Sequence, residues 1–160
     1  MKIIGIDQSY TCTGLTFFED GEMLRAEVFK TSKEFDTHER AHSIALHILS
    51  QAFWFEPDVI GIEGLAFGMR GDATRDLAGL QFVIINKLRF KGDFKVEVVA
   101  PNAVKKFATG SGKAKKEELY EALPQKTQNE FLELGVKKTT GLYDLTDAYW
   151  IAKLTEDKNK

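Results

Sequence analysis

Four carboxylates stand where apolar segments end or meet a polar face. Asp7 closes the run Lys2-Ile3-Ile4-Gly5-Ile6, Glu63 closes Val59-Ile60-Gly61-Ile62, and Asp144 and Asp147 lie three apart within Tyr143–Ala152. The i, i+3 spacing puts the last two on one side of a helix. Acids gathered at the rim of a core repel one another unless a cation lies between them. The set is therefore a candidate magnesium site, and magnesium held by carboxylates beside phosphates performs phosphoryl chemistry.

Two other patterns compete for attention. His38-Glu39-Arg40-Ala41-His42 satisfies H-E-x-x-H, in which two His one turn apart hold zinc and the Glu is general base. It occupies the first turn of its helix, with both His at the border of the apolar face, and Glu63, the available third ligand, ends a strand. Capping and a solvated surface account for these residues instead, and His47 is expected to be exposed. Gly110-Ser111-Gly112-Lys113 resembles a phosphate loop but has Ala114 where a Ser or Thr should bind magnesium. It still offers backbone amides beside lysines, which suits contact with a phosphate backbone.

The elements that must position these groups follow from periodicity. Residues 2–7 read as a strand with Gly5 and Asp7 on one face and Ile4 and Ile6 on the other. Gly14–Phe18 and Met23–Phe29 follow, joined by an Asp20-Gly21 hairpin turn. Asp36 with Glu39 forms a capping box before a helix of about four turns that ends at Pro57. Val59–Ile62 is a buried central strand, Asp72–Leu88 an amphipathic helix, and Lys95–Val99 a fifth strand. Short helices are expected at 101–107 and 113–123, weak patterning over 124–140, and a last helix over Tyr143–Leu154. The order describes an α/β fold, a five-stranded mixed sheet flanked by helices, in one domain over residues 1–156 with a polar tail at 157–160.

Composition bounds the partners. At 160 residues and 43% hydrophobic content the chain builds a core without staples, and its lone Cys12 excludes an internal disulfide. No apolar run is long enough to span a membrane, and Met1-Lys2 leads straight into a strand, so a cytoplasmic location is expected. The formal charge of -2 argues against a polyanionic partner only in sum. From Lys87 to Lys116, nine basic residues stand against Asp93 and Glu97, a local +7 compatible with nucleic acid.

Ile3-Ile4-Gly5-Ile6-Asp7 with Thr13-Gly14, then Ile62-Glu63, then Pro101–Lys106 through Thr109-Gly110-Ser111-Gly112 to Lys115-Lys116, and finally Asp144-x-x-Asp147-Ala148 resemble the RuvC family of Holliday-junction resolvases. The resemblance covers nearly the whole chain in order, and its low net charge is similar to that of phage-type members. It implies an RNase H-like fold and a homodimeric, magnesium-dependent endonuclease that nicks two strands of a four-way junction, leaving 5′-phosphate and 3′-hydroxyl ends. Other branched DNA is a further implied substrate. Two Mg2+ per site are implied, with Mn2+ able to substitute, held by Asp7, Glu63, Asp144 and Asp147. Lys105 and Lys116 match basic positions at the scissile region. Lys106, Ser111, Lys113 and Lys115 extend the implied DNA contact, and Phe67 is the implied aromatic that enters the junction. Gln8-Ser9 departs from the family's usual Pro-Gly after the first acid. The alternatives are a non-catalytic RNase H-like DNA-binding module, a sugar-kinase-type ATPase, which needs two such domains, and the zinc peptidase.

Overall fold

The computed structural model describes residues 1–66, 68 and 70–160. Strands β1 (Lys2–Asp7), β2 (Cys12–Glu19) and β3 (Glu22–Lys30) form an antiparallel meander. The β2–β3 turn uses Asp20 and Gly21, both at positive φ (49° and 87°), as a tight hairpin needs. Strands β4 (Val59–Glu63) and β5 (Val96–Val99) add in parallel beyond β1, giving the sheet order β3-β2-β1-β4-β5.

Register aligns the chemistry. β1 and β4 pair Gly5 with Gly61 and Ile6 with Ile62, so the next residues along, Asp7 and Glu63, leave the sheet side by side at the same level. The β-alternation then separates their neighbours. Ile4, Ile6, Ile60 and Ile62 pack beneath helices α1 (Thr37–Phe55) and α2 (Asp72–Phe90). Ile3 and Val59 face α5 (Gln125–Glu133) and α6 (Leu142–Lys158) on the other side. Short helices α3 (Pro101–Thr109) and α4 (Lys116–Glu121) sit between β5 and α5 in the chain.

Helix α6 lies unusually close to the sheet because three residues beneath it, Gly5, Gly14 and Gly61, have no side chain. A Cβ on Gly5 would stand 2.1 Å from the Ala148 carbonyl oxygen, and one on Gly14 2.5 Å from that of Asp144. Thr16 Oγ1 reaches across to donate to the Ala148 carbonyl at 2.9 Å. This close approach is what brings Asp144 and Asp147 down to the level of Asp7. Gly5→Ala is expected to lift α6 and lower stability by about 2–3 kcal/mol, measured by urea unfolding, with a larger loss of activity than of folded protein.

Several boundaries differ from the sequence reading. The helix expected over 113–123 is shorter because Lys115 is its N-cap and residues 110–115 form a turn. The weakly patterned 124–140 segment contains α5, which buries only Thr127 and Phe131 and so shows little periodicity. α6 continues to Lys158, so the polar segment expected from 157 begins inside its last turn. His47, expected to be exposed, is half-buried: its ring stacks on Phe29 (centroids 4.1 Å apart) and its Nε2 lies 2.7 Å from Glu27 Oε1.

Candidate active site

The four acids share one cavity without closing on a single point. Asp7, Glu63, Asp144 and Asp147 line one cavity of about 440 Å³, together with Lys105, Lys116 and Gln8. Gly64, Leu65, Ala66, Leu77, Pro101, Val104 and Leu119 complete its walls. Asp7 comes from the end of β1, Glu63 from the end of β4, and the other two from the first turns of α6. Lys105 projects from α3 and Lys116 from the start of α4, so the Gly-rich turn between them sets both lysines on one wall.

The charges are strongly frustrated. Burial pushes Asp7 well above the usual carboxylate range, and the charges of Asp147, Glu63 and Asp144 push it further, with Lys116 opposing. Glu63 is raised to about 7 by burial and then by Asp147, against Lys105 and Lys116. Asp147 rises to about 6, mainly by burial, and Asp144 is raised for the same reason. Two lysines do not neutralise four acids. Among the described residues, no three acidic, histidine or cysteine side chains close around one point as they are placed here, as expected of like charges that keep apart. The side chains offer only carboxylate oxygens, which suit a hard divalent cation rather than a softer metal. Burial and the neighbouring Asp144 push the Cys12 thiol up to about 11, so it stays protonated beside that acid.

The turn after Asp7 is built differently from Pro-Gly. Ser9 Oγ accepts from Cys12 N at 3.0 Å and donates to the Cys12 carbonyl at 2.8 Å, while Thr13 Oγ1 donates to the Ser9 carbonyl at 2.8 Å. Side-chain hydroxyls thus close a loop that proline would have stiffened. Gln8 Nε2 and Gln81 Nε2 both donate to the Glu63 carbonyl, at 3.0 and 2.8 Å, pinning the end of β4. Sequence reading passed over Gln81, although a polar residue next to Leu80 in the stripe of Leu77, Ile84 and Leu88 was a visible signal. Cys12 comes to the site through register: Asp7 pairs with Gly14, so alternation puts Cys12 on the α6 side.

Other expectations divide. Lys106, Ser111, Lys113 and Lys115 are exposed beside the lysine wall without lining the cavity, and Phe67 lies outside the described residues. The +7 stretch is not one surface. Ile60 N donates to the Lys95 carbonyl, so Lys95 stands at the end of the sheet away from Glu63 and pairs there with Glu97. Arg89, in the last turn of α2, donates to the Val96 carbonyl at that same far end. The H-E-x-x-H reading fails on geometry. Asp36 and Glu39 close a reciprocal capping box, and His38 and His42 are exposed.

The family profile described as crossover junction endodeoxyribonuclease RuvC matches residues 3–152. The chain belongs to the RuvC family. RuvC of Ehrlichia chaffeensis is 27% identical over 155 residues, covering 95% of this chain and 94% of its own. RuvC of Prochlorococcus marinus is 31% identical over 127 residues, covering 77% and 80%. The structure of Thermus thermophilus RuvC in complex with a Holliday junction substrate aligns with a TM-score of 0.73 at 27% identity, over 95% of this chain and 90% of that one. The mixed five-stranded sheet is accordingly the RNase H-like fold of RuvC. This RuvC family member is an endodeoxyribonuclease of crossover junctions, from a family of divalent-metal-dependent nucleases. Among its described residues no helix is long and apolar enough to cross a membrane.

Proposed function

We propose that Asp7, Glu63, Asp144 and Asp147 are the catalytic acids that hold Mg2+ in this nuclease, and that it cuts four-way DNA junctions by paired nicks. The observation that carries the reading is the convergence of four carboxylates from three elements on one cavity flanked by two lysines. Mg2+ held by these four acids would supply Lewis-acid polarisation of the scissile phosphate and a more acidic water at neutral pH. The protein's own residues do the rest. The carboxylates bind and orient, and the apolar wall of Leu65, Leu77, Val104 and Leu119 limits bulk water. Lys105 and Lys116 offset the charge that develops on the phosphate as the bond to the 3′-oxygen breaks, leaving 5′-phosphate and 3′-hydroxyl ends. Lys106, Ser111, Lys113 and Lys115 carry the backbone on past the cavity as positioning contacts.

The test is incubation of the purified chain with labelled four-way junction, Y-fork and linear duplex, with and without Mg2+. Symmetric nicks in the junction that need Mg2+ are expected. Binding without cleavage of any branched substrate would leave only the non-catalytic module. Lys116→Ala is expected to slow cleavage about 10–100-fold while junction affinity changes much less, read by single-turnover kinetics beside a gel-shift titration.

Paired nicking needs two such sites, and α2 offers the surface for a homodimer. Phe82 and Phe90 are 77% and 79% exposed on it, and Phe82, Val83, Asn86 and Lys87 line a shallow groove. A twofold pairing of α2 helices would cover both rings. Phe82→Glu should shift the sedimenting species from dimer to monomer; an unchanged dimer would move the interface elsewhere.

A further inference from the structure

Gln8 follows Asp7 directly, is only 5% exposed, and lines the same cavity as the four acids. Its orientation is fixed by chemistry. Nε2 donates to the Glu63 carbonyl at 3.0 Å, and turning the amide over would set two carbonyl oxygens against each other. Gln81 donates to that same carbonyl from α2, so the geometry is held from two sides. What remains is Gln8 Oε1, buried and without a hydrogen-bond donor among the described residues. A buried amide oxygen with no partner has lost its water for nothing, and such atoms in folded proteins call for a reason.

The neighbours supply the reason. The groups that share the cavity with Gln8 include the Asp7 and Glu63 carboxylates, acceptors when ionised, and Lys105 and Lys116, neither of which donates to Gln8 Oε1. With those ammonium groups not reaching it, an oxygen among ionised carboxylates is satisfied by a metal cation. We propose that Gln8 Oε1 is a fifth protein oxygen ligand of the divalent-ion site that the four acids would form. Neutral amide oxygens are ordinary ligands of hard cations. A Gln at this position also adds an oxygen without adding a fifth negative charge to an uncompensated cluster. The proposal rests on the reading of the four acids as metal ligands.

The test is Mn2+ binding to the full chain without DNA, read from the free-ion signal by electron paramagnetic resonance. Gln8→Met keeps the length but removes both amide functions, Gln8→Glu keeps an oxygen but loses the donor to Glu63, and Gln81→Met removes only the second donor. Affinity should fall about tenfold or more in Gln8→Met, hold or rise in Gln8→Glu, and stay within about twofold of wild type in Gln81→Met. Wild-type affinity in Gln8→Met would overturn the assignment. Equal losses in Gln8→Met and Gln81→Met would also overturn it, since Gln8 would then act only by pinning Glu63. Weak binding by Gln8→Glu would do the same even if Gln8→Met folds poorly. No Mn2+ bound by the wild type would instead remove the four-acid metal site, and the fifth ligand with it.

Discussion

Asp7→Asn is expected to reduce junction cleavage by more than about a thousandfold and to leave junction binding within a few-fold of wild type. Asp7 is the acid on which the others converge: Asp147, Glu63 and Asp144 all act on its carboxyl. Removing even a partner outside the ligand shell of a metal costs about 10–100-fold, so losing the central ligand must cost more. Members of a unit that works together also fail together. Binding is spared for a separate reason. The exposed Lys106, Lys113 and Lys115 beside the cavity do not depend on Asp7, and one negative charge fewer near a phosphate favours association. The variant should also be more stable without metal, because it removes a buried charge from a repelling cluster. Single-turnover cleavage, gel-shift titration and a thermal melt in chelator separate the three outcomes. A variant that cleaves within tenfold of wild type would remove Asp7 from the catalytic set.

Three of the acids were legible because each breaks a local rule, and Asp144 only through its spacing from Asp147. Asp7 and Glu63 follow wholly apolar runs, and Asp147 precedes Ala148, Ile151 and Ala152 on a small, inward-facing helix surface. The convergence itself was not legible, because it depends on register. The pairing of Ile6 with Ile62 sets Asp7 level with Glu63, and the bare Cα positions of Gly5 and Gly14 lower α6 to meet them. Sequence shows the glycines but not what lies over them.

Misreadings have equally local causes. A run of lysines looked continuous because the chain is continuous there, yet β5 carries it from one end of the sheet to the other, leaving Lys95 and Lys105 at opposite ends. The H-E-x-x-H match is ambiguous in sequence because Glu39 suits both a capping box and a zinc site; its place in the first turn favours capping, and the reciprocal bonds between Asp36 and Glu39 agree. α5 escaped notice because two buried residues do not make a period.

Stability of the metal-free protein should fall as pH rises from about 4 to about 7, and a divalent ion should reverse the fall. Folding raises Glu63 from 4.5 to about 7 and Asp147 from 3.8 to about 6, and Asp7 moves the same way. Groups whose folded values are raised hold protons in the folded chain that the unfolded chain has released. Their stabilising contribution is therefore complete below the unfolded values, near pH 4, and lost as pH passes the folded values of about 6 and 7. The coupled acids together account for on the order of 3 kcal/mol, which for a chain of this size is roughly 10 °C in melting temperature. Bound Mg2+ acts in the opposite sense, since it favours the ionised acids and binds the folded chain: at a hundred times its dissociation constant it returns about 2.7 kcal/mol. The gain from Mg2+ should consequently be small near pH 5 and large near pH 8. Melting curves across that range, in chelator and in Mg2+, measure both slopes. Parallel curves would mean that the acids do not share an ion, because a cation that gathers these carboxylates must compete with the protons that otherwise neutralise them.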